Sequence, residues 1–114
     1  MAKTDWIDEF AGAVIVTDEN GTILEMNERA SKNLEQDGGR ALLGTNVLDC
    51  HPEPSKTKLK EIMAERKTNV YTIEKRGVKK MIFQAPWTRN GRYRGIVELS
   101  LEIPFEMPHF VRKG

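Results

Sequence analysis

Two runs of aliphatic and β-branched residues, Ala13-Val14-Ile15-Val16-Thr17-Asp18 and Thr22-Ile23-Leu24-Glu25-Met26, are separated only by Glu19-Asn20-Gly21. Asn-Gly between two such runs is a strong local signal for a β-hairpin, because both residues tolerate positive φ. No other feature constrains the fold as much: the sheet opens as an antiparallel pair, and all later elements must extend or cover it. Asn27 reads as the cap of a helix in which Ala30 and Leu34 share a face, stopped by Asp37-Gly38-Gly39. Ahead of the hairpin, Thr4 can cap a short lead helix. There Asp5, Asp8 and Glu9 sit where the helix dipole favours anions, and Trp6, Ile7 and Phe10 recur at helical spacing.

From Arg40 to Pro54 the pattern is irregular. Leu42, Leu43, Val47 and Leu48 need burial, yet Gly44, Asn46 and Pro52 break any long period, which predicts short helical turns. Pro54 and Ser55 then open the best helix, where Leu59, Ile62 and Met63 form one apolar stripe among Lys56, Lys58, Lys60, Glu61, Glu65 and Arg66. Three strands follow. Residues 69–75 alternate with Tyr71 and Ile73 on one side. After a turn at Arg76-Gly77, residues 78–85 alternate with Met81, Phe83 and Ala85 on one side and Lys80, Ile82 and Gln84 on the other, with Pro86 as the expected limit. Asn90-Gly91 signals a second hairpin. The last strand, 93–103, puts Gly95, Val97, Leu99, Leu101 and Ile103 on one face. The predicted order is ββ, then helices, then βββ.

A chain of 114 residues supports one domain with one modest core. Charged residues make up 31% with a net charge of +1, which suits neither a disordered polyelectrolyte nor a basic nucleic-acid binder, so direct nucleic-acid contact is not expected. Phe10 to Thr17, the longest uncharged stretch of the first half, is too short to span a bilayer, and the first residues lack a signal peptide's apolar run. A cytoplasmic protein without membrane attachment is expected. The lone Cys50 cannot form an internal disulfide. No paired carboxylates, metal-spaced ligands or phosphate loop stand out, so an enzyme is not expected.

Residues 13–30, with Thr17-Asp18, the turn Gly21 and Asn27 opening the next helix, together with Leu42-Leu43-Gly44 and Asn90-Gly91, resemble the PAS domain family over residues 5–103. The resemblance implies an α+β PAS fold: a five-stranded antiparallel sheet of order 2-1-5-4-3 with helices covering one face and a pocket between. It divides the chain into a lead helix (1–12), the PAS domain (13–103) and a C-terminal tail (104–114). Leu43-Gly44, Val47-Leu48-Asp49-Cys50-His51-Pro52 and Ser55, Lys58 and Leu59 further resemble the haem b-binding PAS domains of bacterial carbon-monoxide-responsive regulators. That likeness implies His51 and Met81 as axial iron ligands, with Leu48, Leu59, Ile62, Tyr71 and Phe83 around the cofactor. Tyr71 falls near the position where those regulators carry a cysteine ligand.

Imidazole and thioether sulfur are an established axial pair for haem iron. Pro52 biases His51 to extended backbone and would fix its direction, while Met81 could yield to CO or another diatomic gas. Lys56, Lys60 or Arg40 could pair with propionates. Plainer roles stand beside these: His51 as a backbone cap, Met81 as core filler, Cys50 as a buried thiol or an alternative ligand to oxidised iron. The functional expectation is a haem-binding sensor that signals through a homodimer or a downstream protein. The alternative is a cofactor-free signalling and dimerisation module, or a sensor of a small organic ligand. The family's photoactive Asn-Cys-Arg-Phe motif is absent, which disfavours flavin. Trp6, Ile7 and Phe10, and Phe105 and Phe110 around His109, read as sheet cover or dimer contacts, and Trp87 as packing.

Overall fold

A computed structural model describes residues 5–114, the side chain of Cys50 excepted. The expected roles of the Thr4 cap and the Cys50 thiol lie outside the described residues. The element order is α1 (Asp5–Asp8), β1 (Ala13–Thr17), β2 (Ile23–Met26), α2 (Glu28–Asn33), three 3-10 turns (Glu35–Asp37, Gly39–Leu42, Val47–Cys50), α3 (Ser55–Glu65), β3 (Asn69–Lys75), β4 (Val78–Arg89) and β5 (Arg92–Ile103). The five strands form one antiparallel sheet of order β2-β1-β5-β4-β3, as the sequence predicts. No described helix is long and apolar enough to cross a membrane.

The first hairpin is built differently from the Asn-Gly expectation. Gly21 has φ 89°, whereas Asn20 is not left-handed. Asp18 organises the turn instead: its carboxylate accepts from the Asn20 and Thr22 amides, each at 2.9 Å. The turns at Arg76-Gly77 and Asn90-Gly91 do use two consecutive positive φ values, as a tight hairpin requires. Strand β4 runs through Pro86, which pairs with Ile96. Proline is tolerated there because β3 ends opposite Gln84, so beyond that point β4 has a neighbour on one side only.

Asn27 is the buried joint of the N-terminal half. Its Oδ1 accepts from the Val14 and Ala30 amides, and its Nδ2 donates to the Ile7 and Gly12 carbonyls. One side chain thus caps α2, extends the β1 ladder and anchors the segment behind α1. The core around it comprises Ala13, Ile15, Ile23, Met26, Ala30, Val47 and Leu59. α3 opens at Ser55 behind Pro54, as expected, but the side chain that binds its first turn is that of Glu53, whose carboxylate accepts from the Thr57 amide and hydroxyl. The Thr57 side-chain and backbone hydrogen bonds hold the Glu53 carboxyl below its ordinary pKa. This local stabilisation is complete above the usual carboxylate range and is lost as pH falls through the lowered value.

Candidate functional site

The loop 44–47 is strapped along β2 by the pairs Gly44 N–Ile23 O, Ile23 N–Thr45 O and Val47 N–Gly21 O, and Asn46 caps the following turn by accepting from Leu48 N. His51 leaves that turn in extended backbone, φ −111° and ψ 118°, the conformation a following proline favours. Its Nδ1 lies 2.8 Å from the Val47 carbonyl. A carbonyl only accepts, so Nδ1 carries the proton in this contact.

Strand alternation decides what His51 faces. Ala13 and Ile15 of β1 belong to the core, and they pair with Ser100 and Glu98 of β5. Those in turn pair with Ile82 and Gln84 of β4, which pair with Tyr71 and Asn69 of β3. These residues, with Lys80 and Ile73 one step further along, make the inner face of the sheet. A hollow of about 250 Å³ lies between this face, α2 and the loop before α3, and its lining includes His51, Tyr71, Ile73, Lys75, Lys80, Ile82, Glu98 and Ser100. Leu59 and Met63 of α3 line an adjoining crevice of about 10 Å³, together with Ile15, Val47 and Glu98.

The inner face carries a polar ladder. Asn69 donates to Gln84 at 3.1 Å, and Gln84 donates to the Glu98 carboxylate. Gln84 is only 3% exposed, so this chain of partners satisfies an amide that burial would otherwise penalise. Burial, then the Glu98 charge, pushes the Tyr71 hydroxyl pKa up. The hydroxyl therefore stays protonated and able to donate throughout the neutral range.

Of the residues expected around a cofactor, His51 and Tyr71 meet in the hollow, while Leu48 packs against the core cluster and Leu59 and Ile62 are buried on α3. Met81 and Phe83 do not join them. They alternate with Ile82 on an unbroken stretch of ladder and pair with Leu101 and Leu99, so they stand on the outer face with the sheet between them and His51. The expected inner face of β4 is thereby corrected. Apolarity there is greater on the side that faces outward, and taking the apolar side as the core side placed Met81 wrongly. Lys56 and Lys60 are not among the lining residues, and Arg40 is engaged by Asp8 and the Met26 carbonyl.

A haem held by His51 and Met81 does not fit this arrangement. The imidazole tautomer suits a metal ligand, but the thioether is on the wrong face. The walls of the hollow also carry the charged side chains of Lys75, Lys80 and Glu98. Haemin mixed with the protein is therefore expected to give the same absorption spectrum with Met81→Leu as with the wild type. Loss of six-coordinate low-spin bands in that variant would restore the axial pair.

Residues missed from sequence are Lys75, Lys80, Gln84, Glu98 and Ser100. The available signal was register: once Ile15 is placed in the core, its ladder partners Glu98 and Gln84 must share its face.

A 2-1-5-4-3 antiparallel sheet, crossed on one face by short helices with a side-chain-lined hollow between, defines a small α+β domain. The chain belongs to the PAS family: the family model, described as PAS fold, matches residues 6–97. It is a PAS sensor domain of the kind that signalling proteins carry. Similar solved structures include a C-terminal domain from Streptococcus mutans (14% identity, TM-score 0.69, 84% of this chain and 78% of that one). The Aer2 receptor of Vibrio cholerae, described as a dual PAS-haem oxygen sensor, shares 16% identity with a TM-score of 0.64, over 82% of this chain and 95% of that one. A sensory box sensor histidine kinase from Vibrio cholerae shares 16% identity with a TM-score of 0.66, over 90% of each chain. At such identities the likeness establishes the fold. No curated protein sequence matches the chain.

Proposed function

We propose that this PAS domain senses a small organic molecule held in the hollow behind His51 and signals through a homodimer formed over the outer sheet face. The carrying observation is the inverted amphipathicity of β4 and β5. Lys80, Gln84, Glu98 and Ser100 face inward, while Met81, Phe83, Ala85, Val97, Leu99 and Leu101 face outward. A sheet that only needed a packed core would turn its apolar side to the helices. Polar groups converging on an apolar floor are what orients a small ligand. An apolar outer face beside the exposed Trp6 and Phe10 suits a protein contact.

The test is a ligand-observed NMR screen with neutral, cationic and anionic aromatic fragments. Binding is expected in the wild type and is expected to disappear in Ser100→Phe, whose ring would fill the hollow. Fragments that bind equally well to both proteins would refute the ligand site. For the dimer, sedimentation at micromolar concentration is expected to show Leu99→Asp as a monomer. A monomeric wild type would remove that half of the proposal.

A further inference from the structure

The hollow is polarised along its length. At one end are Lys75 and Lys80, which also line an adjoining groove of about 400 Å³ with Lys32 and Arg76. The carboxylates of that groove, Glu35 and Glu102, are outnumbered by the four cations. Among the described residues the ion pairs are Arg40–Asp8 and Lys67–Glu65, so none of the four cations is in direct ion-pair contact, although Glu102 faces Lys80 across the strands. At the other end is Glu98, with one carboxylate oxygen held by Gln84. Lys80 precedes Gln84 by four residues on β4, and Gln84 pairs with Glu98. At ~3.3 Å per residue the two ends lie about 13 Å apart along the strands. Ile82 and its ladder partners Tyr71 and Ser100 lie between them, with Ile73 beside Lys80.

Resting on the reading of the hollow as a ligand site, we infer that its ligand is an elongated organic monoanion. The anionic head lies at Lys75 and Lys80, an aromatic or aliphatic body lies over Ile73 and Ile82, and a distal hydroxyl or N–H donates to Glu98. A cationic mouth draws anions in. A cationic ligand meets repulsion there. A ligand without a distal donor leaves Glu98 desolvated and only partly satisfied.

Calorimetric titration with four compounds tests this on the wild-type protein. 4-Hydroxyphenylacetate is expected to bind about tenfold more tightly than 4-methylphenylacetate, which lacks the donor, 4-ethylphenol, which lacks the anion, and tyramine, which carries a cation. Lys75→Met with Lys80→Met is expected to weaken both acids and flatten their salt dependence. Glu98→Gln is expected to weaken the hydroxylated acid selectively. If 4-ethylphenol or tyramine binds as tightly as the hydroxy acid and Ser100→Phe blocks it, the anion assignment is overturned while the hollow remains a ligand site. If no compound of this set or of the fragment screen is displaced by Ser100→Phe, both readings fail together.

Discussion

Asn27→Leu is expected to remove a large part of the stability of this domain, on the order of 4–6 kcal/mol out of the ~5–15 kcal/mol that holds a domain of this size. The side chain is fully buried, and all four of its hydrogen bonds reach backbone groups. Leucine has the same branched outline and number of side-chain heavy atoms but supplies neither donor nor acceptor. The Val14 and Ala30 amides and the Ile7 and Gly12 carbonyls would then be left in a dry site, at about 1–3 kcal/mol for each buried group without a partner. Asn27→Asp is expected to fall between the two. It keeps both acceptor bonds, loses both donor bonds and brings a charge into the core. The measurement is urea unfolding, read as a fall in midpoint at constant slope. A shift worth less than about 1 kcal/mol would show that water or a rearranged backbone satisfies these groups.

Asn27 also shows why some features could be read from the sequence and others could not. Its position after an aliphatic strand and before Glu28 marked it as a helix cap, and the cap forms, because capping is a local interaction. Its donation to Ile7 and Gly12 is a tertiary contact that no local pattern encodes. The same division holds for the sheet. Alternation assigned the members of each β4 and β5 face correctly, since side chains point to opposite sides at period two. Which face the helices cover is a property of chain crossover, and here the apolar side is the outer one, so the rule that apolar residues mark the core failed. His51 was placed by Pro52 and the preceding turn, both local, and it reaches the hollow. Met81 depended on the choice of face and does not. Glu98 and Gln84 were not singled out from sequence because a buried polar ladder has no sequence signature apart from the register that aligns its members.

Gly95→Ala is expected to cost about 3 kcal/mol or more, because the strands at this point are too close for any side chain. A Cβ on Gly95 would lie 1.9 Å from the Thr17 carbonyl oxygen and 2.8 Å from the Asp18 carbonyl carbon, and the backbone φ of 149° is one that favours glycine. The atoms in the way are backbone, so they cannot rotate aside. The Thr17 carbonyl also accepts the Trp87 indole N–H at 2.9 Å, and the Thr17 hydroxyl accepts from the Ile96 amide at 3.2 Å. Moving β1 aside therefore breaks several contacts together. Gly91→Ala supplies the comparison: φ is 76° but a Cβ there meets nothing within 4 Å, so only the intrinsic strain of about 1–2 kcal/mol is expected. Equal destabilisation of the two variants in urea would show that backbone strain alone, and not the β1–β5 approach, sets the cost. The consequence extends to the hollow, since the pairs after the close approach are Val16 with Val97 and Ile15 with Glu98. If β1 is displaced at Thr17, the inner-face carboxylate loses its fixed position against the core. Any ligand affinity that depends on Glu98 should then fall in Gly95→Ala even at temperatures where the variant remains folded, and it should persist in Gly91→Ala.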